Sequence, residues 1–288
     1  MVDKPREWTS HDVVGKMRRI AGTRKVGHLG TLDPAATGVL PLVIGRATRL
    51  AQFFTRNDKT YEGTIHFGYS TDSYDGDGAP TSPEVPVTLE RAQVEKLLDA
   101  LRGEIVQMPP AVSAKKIGGR PAYELARKNL PVELKAVTIT VFALDVLEIA
   151  GCEVKVRVHC SGGTYIRSIA HDAGQALGCG AFLSELRRTA SGDFTIDKAR
   201  TLEQLAELSA AGRLEEALIP AAQLLPDFPS EVVDDLAEGQ IRNGRDFRVS
   251  PFHTRGDARY LKAVSTRGDL IAIGEAKLPN LYHPLLVL

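Results

Sequence analysis

The sequence predicts an α+β fold, with a central, mainly antiparallel sheet flanked by helices and a small β-rich domain behind it. Three observations predict this. Strand-like segments follow one another at hairpin spacing, without the regular βαβ period of a parallel sheet. Helical segments with one apolar face lie between them. A proline-rich stretch, Pro220–Pro229, precedes short strands and turns. The expected domains are residues 1–222 and 223–288, and 43% hydrophobic residues supply a real core.

Taken in order, residues 9–21 read as a helix capped by Thr9 or Ser10, with Val13, Val14, Met17 and Ile20 on one face and Gly22 as its stop. Residues 25–45 are glycine-rich yet apolar throughout, which suggests an ordered, buried loop. A short helix over 48–56 carries Leu50, Phe53 and Phe54. Residues 59–69 alternate as a strand: Tyr61, Ile65, Phe67 and Tyr69 face one way, Thr60, Glu62, Thr64 and His66 the other. Asp, Gly and Pro make 70–87 a surface loop. Residues 88–102 form a helix capped by Thr88 and stopped by Gly103, with Leu97, Leu98 and Leu101 inward. A basic loop (111–120) and a short helix (121–128) follow, then strands near 132–149 and 153–160. A helix over 164–177 ends at Gly178, and acidic helices fill 201–218. In the last 60 or so residues, 260–265 and 270–275 read as strands.

Composition excludes several classes. No apolar run approaches the roughly 20 residues of a membrane span, and the N-terminus lacks an apolar leader. Cys152, Cys160 and Cys179 lack zinc-site spacing and read as small buried thiols. Gly27–Gly30 lacks the Lys-Ser/Thr ending of a P-loop, no GxGxxG follows a strand, and no His pair has metal-helix spacing. The net charge of zero conceals asymmetry. Residues 1–60 hold eleven Lys/Arg against five Asp/Glu, whereas residues 201–240 hold one against nine. Such a basic region favours a polyanionic partner, although a solvated face would look the same.

The stretch from Gly27 to Gly38 (GHLGTLDPAATG) is the most informative. Asp33-Pro34 alone fits a helix N-cap followed by a first-turn proline. Its context fits equally a partly buried loop that holds one carboxylate, which would then require a cation or hydrogen-bond donors.

That stretch resembles the active-site motif of the TruB family of tRNA pseudouridine synthases. Further matches follow in order: Lys4-Pro5 with Thr9-Ser10, Lys59-Thr60-Tyr61, Ser113–Lys116 with Gly119-Arg120, Cys160–Ser168, and Leu183–Thr189. Together they span about residues 3–200. The resemblance implies the pseudouridine synthase fold with a PUA-like C-terminal module. It also implies conversion of the uridine at position 55, in the TΨC arm of tRNA, to pseudouridine without metal or cofactor. Asp33 is then the nucleophile, Arg167 its partner, and Tyr61 the face that stacks on the flipped base and takes part in the final proton removal. His28 fills the space the nucleotide leaves, and Tyr165 and Leu186 line the uridine pocket. Lys4, Arg24, Lys25, Lys115, Lys116 and Arg120 are the candidate RNA contacts. A monomer located in the cytoplasm is expected.

The chemistry suits those residue types. Cleavage of a glycosidic bond builds positive charge at C1′, which a carboxylate can stabilise or trap. A guanidinium would orient that carboxylate and keep it ionised. Aromatic stacking holds a detached base by about 1–3 kcal/mol, and extrusion from the RNA costs a few kcal/mol. Attack at C1′ and at C6 both remain open. The sequence departs from the family at Arg6-Glu7-Trp8, where a small glycine-containing turn is usual, and at Phe182, which replaces a common histidine. The alternative reading is a non-catalytic tRNA-binding or RNA-folding protein with the same fold.

Overall fold

The computed structural model describes residues 1–54, 57–110, 116–117, 120–121, 134–250 and 258–288. In chain order, the strands are β1 (Val2–Lys4), β2 (Val26–His28), β3 (Thr37–Leu40), β4 (Leu42–Ile44), β5 (Lys59–Phe67), β6 (Gly103–Gln107), β7 (Lys116–Ile117), β8 (Arg120–Pro121), β9 (Val137–Ala150) and β10 (Glu153–Cys160). They continue as β11 (Ala181–Ser191), β12 (Phe194–Thr195), β13 (Ser230–Val233), β14 (Phe247–Arg248), β15 (Tyr260–Ser265), β16 (Leu270–Leu278) and β17 (Leu281–Val287). The α-helices are α1 (Ser10–Ile20), α2 (Arg91–Asp99), α3 (Ile166–Leu177), α4 (Leu202–Ala210) and α5 (Asp235–Arg242).

Two compact units emerge. The first comprises Met1–Ile20, His28–Leu42 and Phe54–Ala206; the second comprises Ala21–Gly27, Val43–Phe53 and Glu207–Leu288. The first unit is built on an eight-stranded sheet in the order β1-β3-β11-β5-β10-β9-β6, with β12 on β11. Its ladders are antiparallel except for β3 with β11.

Strand β5 buries every second residue from Lys59 to Phe67, and β10 buries Val154, Val156, Val158 and Cys160. These rows pack with α3, α2 and β9 into one core that includes Ile65, Leu98, Leu144 and Ile169. Alternation puts one row of each strand on the helix side. Gly178 ends α3 in the left-handed conformation (φ 80°), as a glycine cap does.

The sequence expectations need correction at several points. Gly68 has φ 124° and breaks the alternation, so Tyr69 leaves the Tyr61 row and packs with His66 and Phe182 at ring distances of 5.6 and 4.8 Å. Phe182 also stacks on His66 at 5.0 Å. Residues 70–87 are not simply a surface loop: Ser70, Thr71 and Ser73 are buried, because the segment folds on itself through a Thr71–Pro80 bridge and residues 74–76 pair with Leu183 of β11. Helix α2 begins after Glu90, with no side-chain cap, and Gly103 opens β6 rather than only ending a helix. Residues 25–45 carry β2, β3 and β4, and residues 45–53 form a 3₁₀ helix. Of the expected helix over 121–128, Pro121 belongs to β8 and the remainder lies outside the described residues.

The second unit holds a five-stranded sheet in the order β13-β15-β16-β17-β14, with β13 parallel to β15. Helix α5, absent from the sequence expectation, is capped by Asp234, whose carboxylate accepts from Ala237 N at 2.7 Å. Val233, Ile241, Phe247, Leu261, Ile271 and Tyr282 form its core. Cys152, Cys160 and Cys179 are free thiols, with Cys160 fully buried.

Candidate active site

Asp33 follows a tight loop and does not cap a helix: Pro34 and Ala35 form a turn, closed by Ala36 N donating to Asp33 O at 3.1 Å, that leads into β3. The loop is fastened from below. Ser10 Oγ donates to Leu32 O and accepts from Leu32 N, at 3.1 and 2.9 Å. The Lys4 ammonium donates to the carbonyls of Pro5, Trp8 and Pro34 at 2.8, 2.6 and 3.2 Å. Lys4 is fully buried, so it is a loop anchor and is not available as a phosphate contact. Burial lowers its pKa to about 8, with nearby Asp33 and Asp12 opposing the shift.

Asp33 Oδ2 meets Arg167 Nη2 at 3.0 Å. The Arg167 side chain is only 6% exposed and also donates from Nη1 to Asp75 Oδ2 at 3.0 Å and to Ser73 O at 2.9 Å. One buried guanidinium therefore ties two carboxylates, and Asp75 is steadied by Ser73 Oγ at 2.5 Å. The Asp33 side chain is 38% exposed against 14% for Asp75, so Asp33 is the carboxylate that a substrate can reach. Asp75 escaped the sequence reading because it sits among Asp, Gly and Ser that otherwise signal a loop.

The start of α3 is itself clamped. Gln107, fully buried at the end of β6, donates to Tyr165 O at 3.0 Å and accepts from Tyr165 N at 2.8 Å. Ser168 Oγ donates to Met108 O at 2.8 Å. These bonds engage the main-chain N–H and C=O of Tyr165 and tie the first turn of α3 to the end of β6, which fixes the backbone that carries Arg167. A lone Gln after a strand carries no sequence signal.

Tyr61 lies on the core face of β5, directly across the ladder from Arg188 of β11. Burial pushes the Tyr61 phenol up; the nearby Arg188 charge and their mutual hydrogen bond act against this, and Asp33 also raises it. Tyr61, Asp33 and Arg167 thus converge at one place. Half-buried His28 has its pKa lowered by burial, then by Arg188 and His11, so it is neutral near pH 7. Tyr165 immediately precedes α3. Leu186 packs on the main core and lines a cavity of about 240 Å³ with Ala35, Thr37, Gly63 and Arg187. Arg24 and Lys25 are exposed residues of the second unit. Lys115 lies outside the described residues, and Lys116 and Arg120 are described by backbone pairing alone.

An ionisable aspartate held by a buried arginine beside a tyrosine is an arrangement in which a carboxylate can act as a nucleophile or stabilise developing positive charge. The fold is shared with solved structures. A structure described as a Cbf5–Nop10–Gar1 complex aligns with a TM-score of 0.73 and 30% identity, covering 97% of this chain and 78% of that one. One described as an H/ACA RNP bound to a substrate RNA containing 2′-deoxyuridine aligns at 0.72 and 27%, covering 100% and 83%. The class is defined by family models of pseudouridylate synthases. Residues 18–166 match the N-terminal domain of TruB family pseudouridylate synthases, and residues 167–226 match the tRNA pseudouridylate synthase B C-terminal domain. Proteins named tRNA pseudouridine synthase B from Solibacter usitatus and Geobacillus thermodenitrificans are 62% and 38% identical, each over 100% of this chain and 98% of their own length. The chain belongs to the TruB family of pseudouridylate synthases.

Proposed function

We propose that this protein isomerises a single uridine of tRNA, at position 55 in the TΨC arm, to pseudouridine. The observation that carries the reading is the 3.0 Å pair between half-exposed Asp33 and buried Arg167 beside Tyr61. Asp33 acts as the nucleophile while Arg167, steadied by Asp75, holds its carboxylate in one orientation; charge-assisted hydrogen bonds give that geometry its stiffness. The N1–C1′ bond breaks, the base turns, and it rejoins through C5. Tyr61 stacks on the uracil so that the detached base is not lost. His28, neutral and next to the Asp33 loop, props the gap left by the flipped nucleotide, and Tyr165 and Leu186 line the uridine pocket.

Arg24 and Lys25, with Lys115, Lys116 and Arg120, neutralise RNA phosphates, so binding weakens steeply with salt. Residues 1–222 carry the chemistry and residues 223–288 form a PUA-like RNA-binding module. The reaction uses no metal or cofactor, and the protein works as a cytoplasmic monomer.

The test is incubation with an unmodified tRNA transcript, followed by pseudouridine mapping at nucleotide resolution. Conversion at position 55 alone is expected, and a transcript with cytidine there stays unmodified. Tight binding with no conversion would favour a non-catalytic RNA-folding protein; conversion at another position would reassign the substrate.

A further inference from the structure

Tyr74 has a left-handed backbone, at φ 63°, a conformation that a bulky side chain adopts only where its surroundings offset the strain. Its ring lies flat against that of His171 in α3, with centroids 3.8 Å apart and planes 12° from parallel. The chain neighbours of both residues belong to the active site. The Ser73 carbonyl and the Asp75 carboxylate accept from Arg167 Nη1 at 2.9 and 3.0 Å. His171 stands four residues beyond Arg167 in the same helix, one turn along the same face. Residues 73–75 therefore meet α3 at two successive turns.

The strain has a geometric consequence. Along an extended chain, successive side chains point to opposite sides, and Tyr74 and Asp75 could not then both face α3. The positive φ at Tyr74 turns the chain so that both do. Main-chain bonds pair this turn with β11: Leu183 N donates to Tyr74 O at 3.0 Å, and Gly76 N donates to Leu183 O at 3.1 Å. The bonds to Arg167 and the ring stack are the ties of residues 73–75 to α3. His171 Nδ1 is buried and finds no hydrogen-bond partner among the described residues, so packing, and not a bond at that nitrogen, places the imidazole. Flat contact at this distance excludes water and depends on the shape of both rings.

We propose that Tyr74 and His171 are positioning residues: their stack holds the 73–75 segment against α3 so that Asp75 keeps Arg167, and through it Asp33, in the reactive orientation. The stack acts through Asp75. Loss of either flat ring lets the segment move away from α3 and loosens the Asp75–Arg167 pair, which leaves Arg167 with Asp33 as its one firm carboxylate partner. The inference rests on the pseudouridine reading above, because its effect is read in that reaction.

The test compares wild type, Tyr74→Phe, Tyr74→Gly, Asp75→Asn and the Tyr74→Gly/Asp75→Asn double variant in single-turnover kinetics on tRNA transcript, with RNA affinity from filter binding. Glycine suits a left-handed backbone, so Tyr74→Gly removes the ring without adding strain. Tyr74→Phe keeps the stack and should hold kcat within about twofold of wild type, whereas Tyr74→Gly should lower kcat about fivefold to tenfold with RNA affinity unchanged. In the Asp75→Asn background the same change should cost less than about twofold, because its route of action is already gone. A Tyr74→Gly variant as fast as wild type, or equal losses in both backgrounds, would overturn the proposal. Should Tyr74→Gly not fold, position 171 supplies the second measurement. His171→Phe retains a flat ring and should keep kcat, His171→Leu should lose it as Tyr74→Gly does, and equal rates for these two would also overturn the proposal. A wild type that makes no pseudouridine refutes the function itself, whereas an active wild type matched by Tyr74→Gly refutes only this role.

Discussion

Replacing Asp75 by Asn tests whether the second carboxylate on Arg167 matters for chemistry. The substitution keeps shape and can keep the Ser73 contact, but it removes the charge 3.0 Å from the guanidinium. Breaking one half of a buried ion pair costs about 3–5 kcal/mol. Arg167 keeps Asp33 as a partner and Asp75 is 14% exposed, so about 2–3 kcal/mol is the fitting share. Expressed as misplacement of Asp33 in the transition state, that is a fall of roughly 30- to 150-fold in kcat, at about tenfold per 1.4 kcal/mol. The reaction itself provides the assay: rejoining through C5 displaces the hydrogen there, so a transcript tritiated at uridine C5 releases tritium to water. Single-turnover release with saturating enzyme reads the chemical step, and filter binding should show RNA affinity within twofold of wild type. A folded Asp75→Asn variant with kcat within threefold of wild type would refute the idea that Asp75 helps place Asp33 through Arg167.

Three further outcomes follow from the same structure. Lys4→Met leaves the Pro5, Trp8 and Pro34 carbonyls without a donor and should lower stability by about 1–3 kcal/mol in urea denaturation at pH 7. The folded-state pKa of Lys4, about 8, lies below the ordinary lysine value of 10.5, so the unfolded chain binds more protons between these values. The Lys4 contribution to stability therefore rises with pH from about 8 to 10.5 in wild type and is missing from Lys4→Met. Gly38→Ala places a methyl group 2.2 Å from Arg188 O at a φ of +105°, and should cost about 3 kcal/mol or more and loosen the β3–β11 pairing, seen as a lower Tm. Glu7 sits at φ 68° in the turn where a glycine is usual; Glu7→Gly should raise stability by up to about 1 kcal/mol, the left-handed penalty less the extra freedom of the unfolded chain.

The sequence made the regular parts legible. Strand β5, strand β10 and helix α3 show clean periodicity with a clear stop at Gly178, and each packs one row into the core. Strand β11 was invisible as a strand although it lies inside the sheet. Its second half is mostly polar, and bulges at Leu183/Glu185 and Arg188/Ala190 interrupt the alternation that a period-two reading needs. The return of residues 21–27 and 43–53 to the C-terminal unit is a long-range pairing, which local patterns do not encode.

Within the site, the residues alone left Asp33-Pro34 balanced between a helix cap and a held carboxylate, and ordered motifs tipped that balance. Lys4 reads as a candidate RNA contact because charge is visible in a sequence and burial is not. Asp75 and Gln107 gain their roles only when the 70–80 segment and the end of β6 fold against α3. Arg188 lay inside a recognised motif, yet its placement opposite Tyr61 depends on the β5–β11 register.

The most direct test of the central claim is C5-tritium release from tRNA transcript by Asp33→Asn, at enzyme concentrations where filter binding shows the RNA fully bound. The amide keeps the shape of the side chain but cannot serve as the anionic nucleophile. No release above the enzyme-free background is predicted, against one tritium per transcript for wild type. Release by the folded variant at even a tenth of the wild-type rate would contradict the assignment.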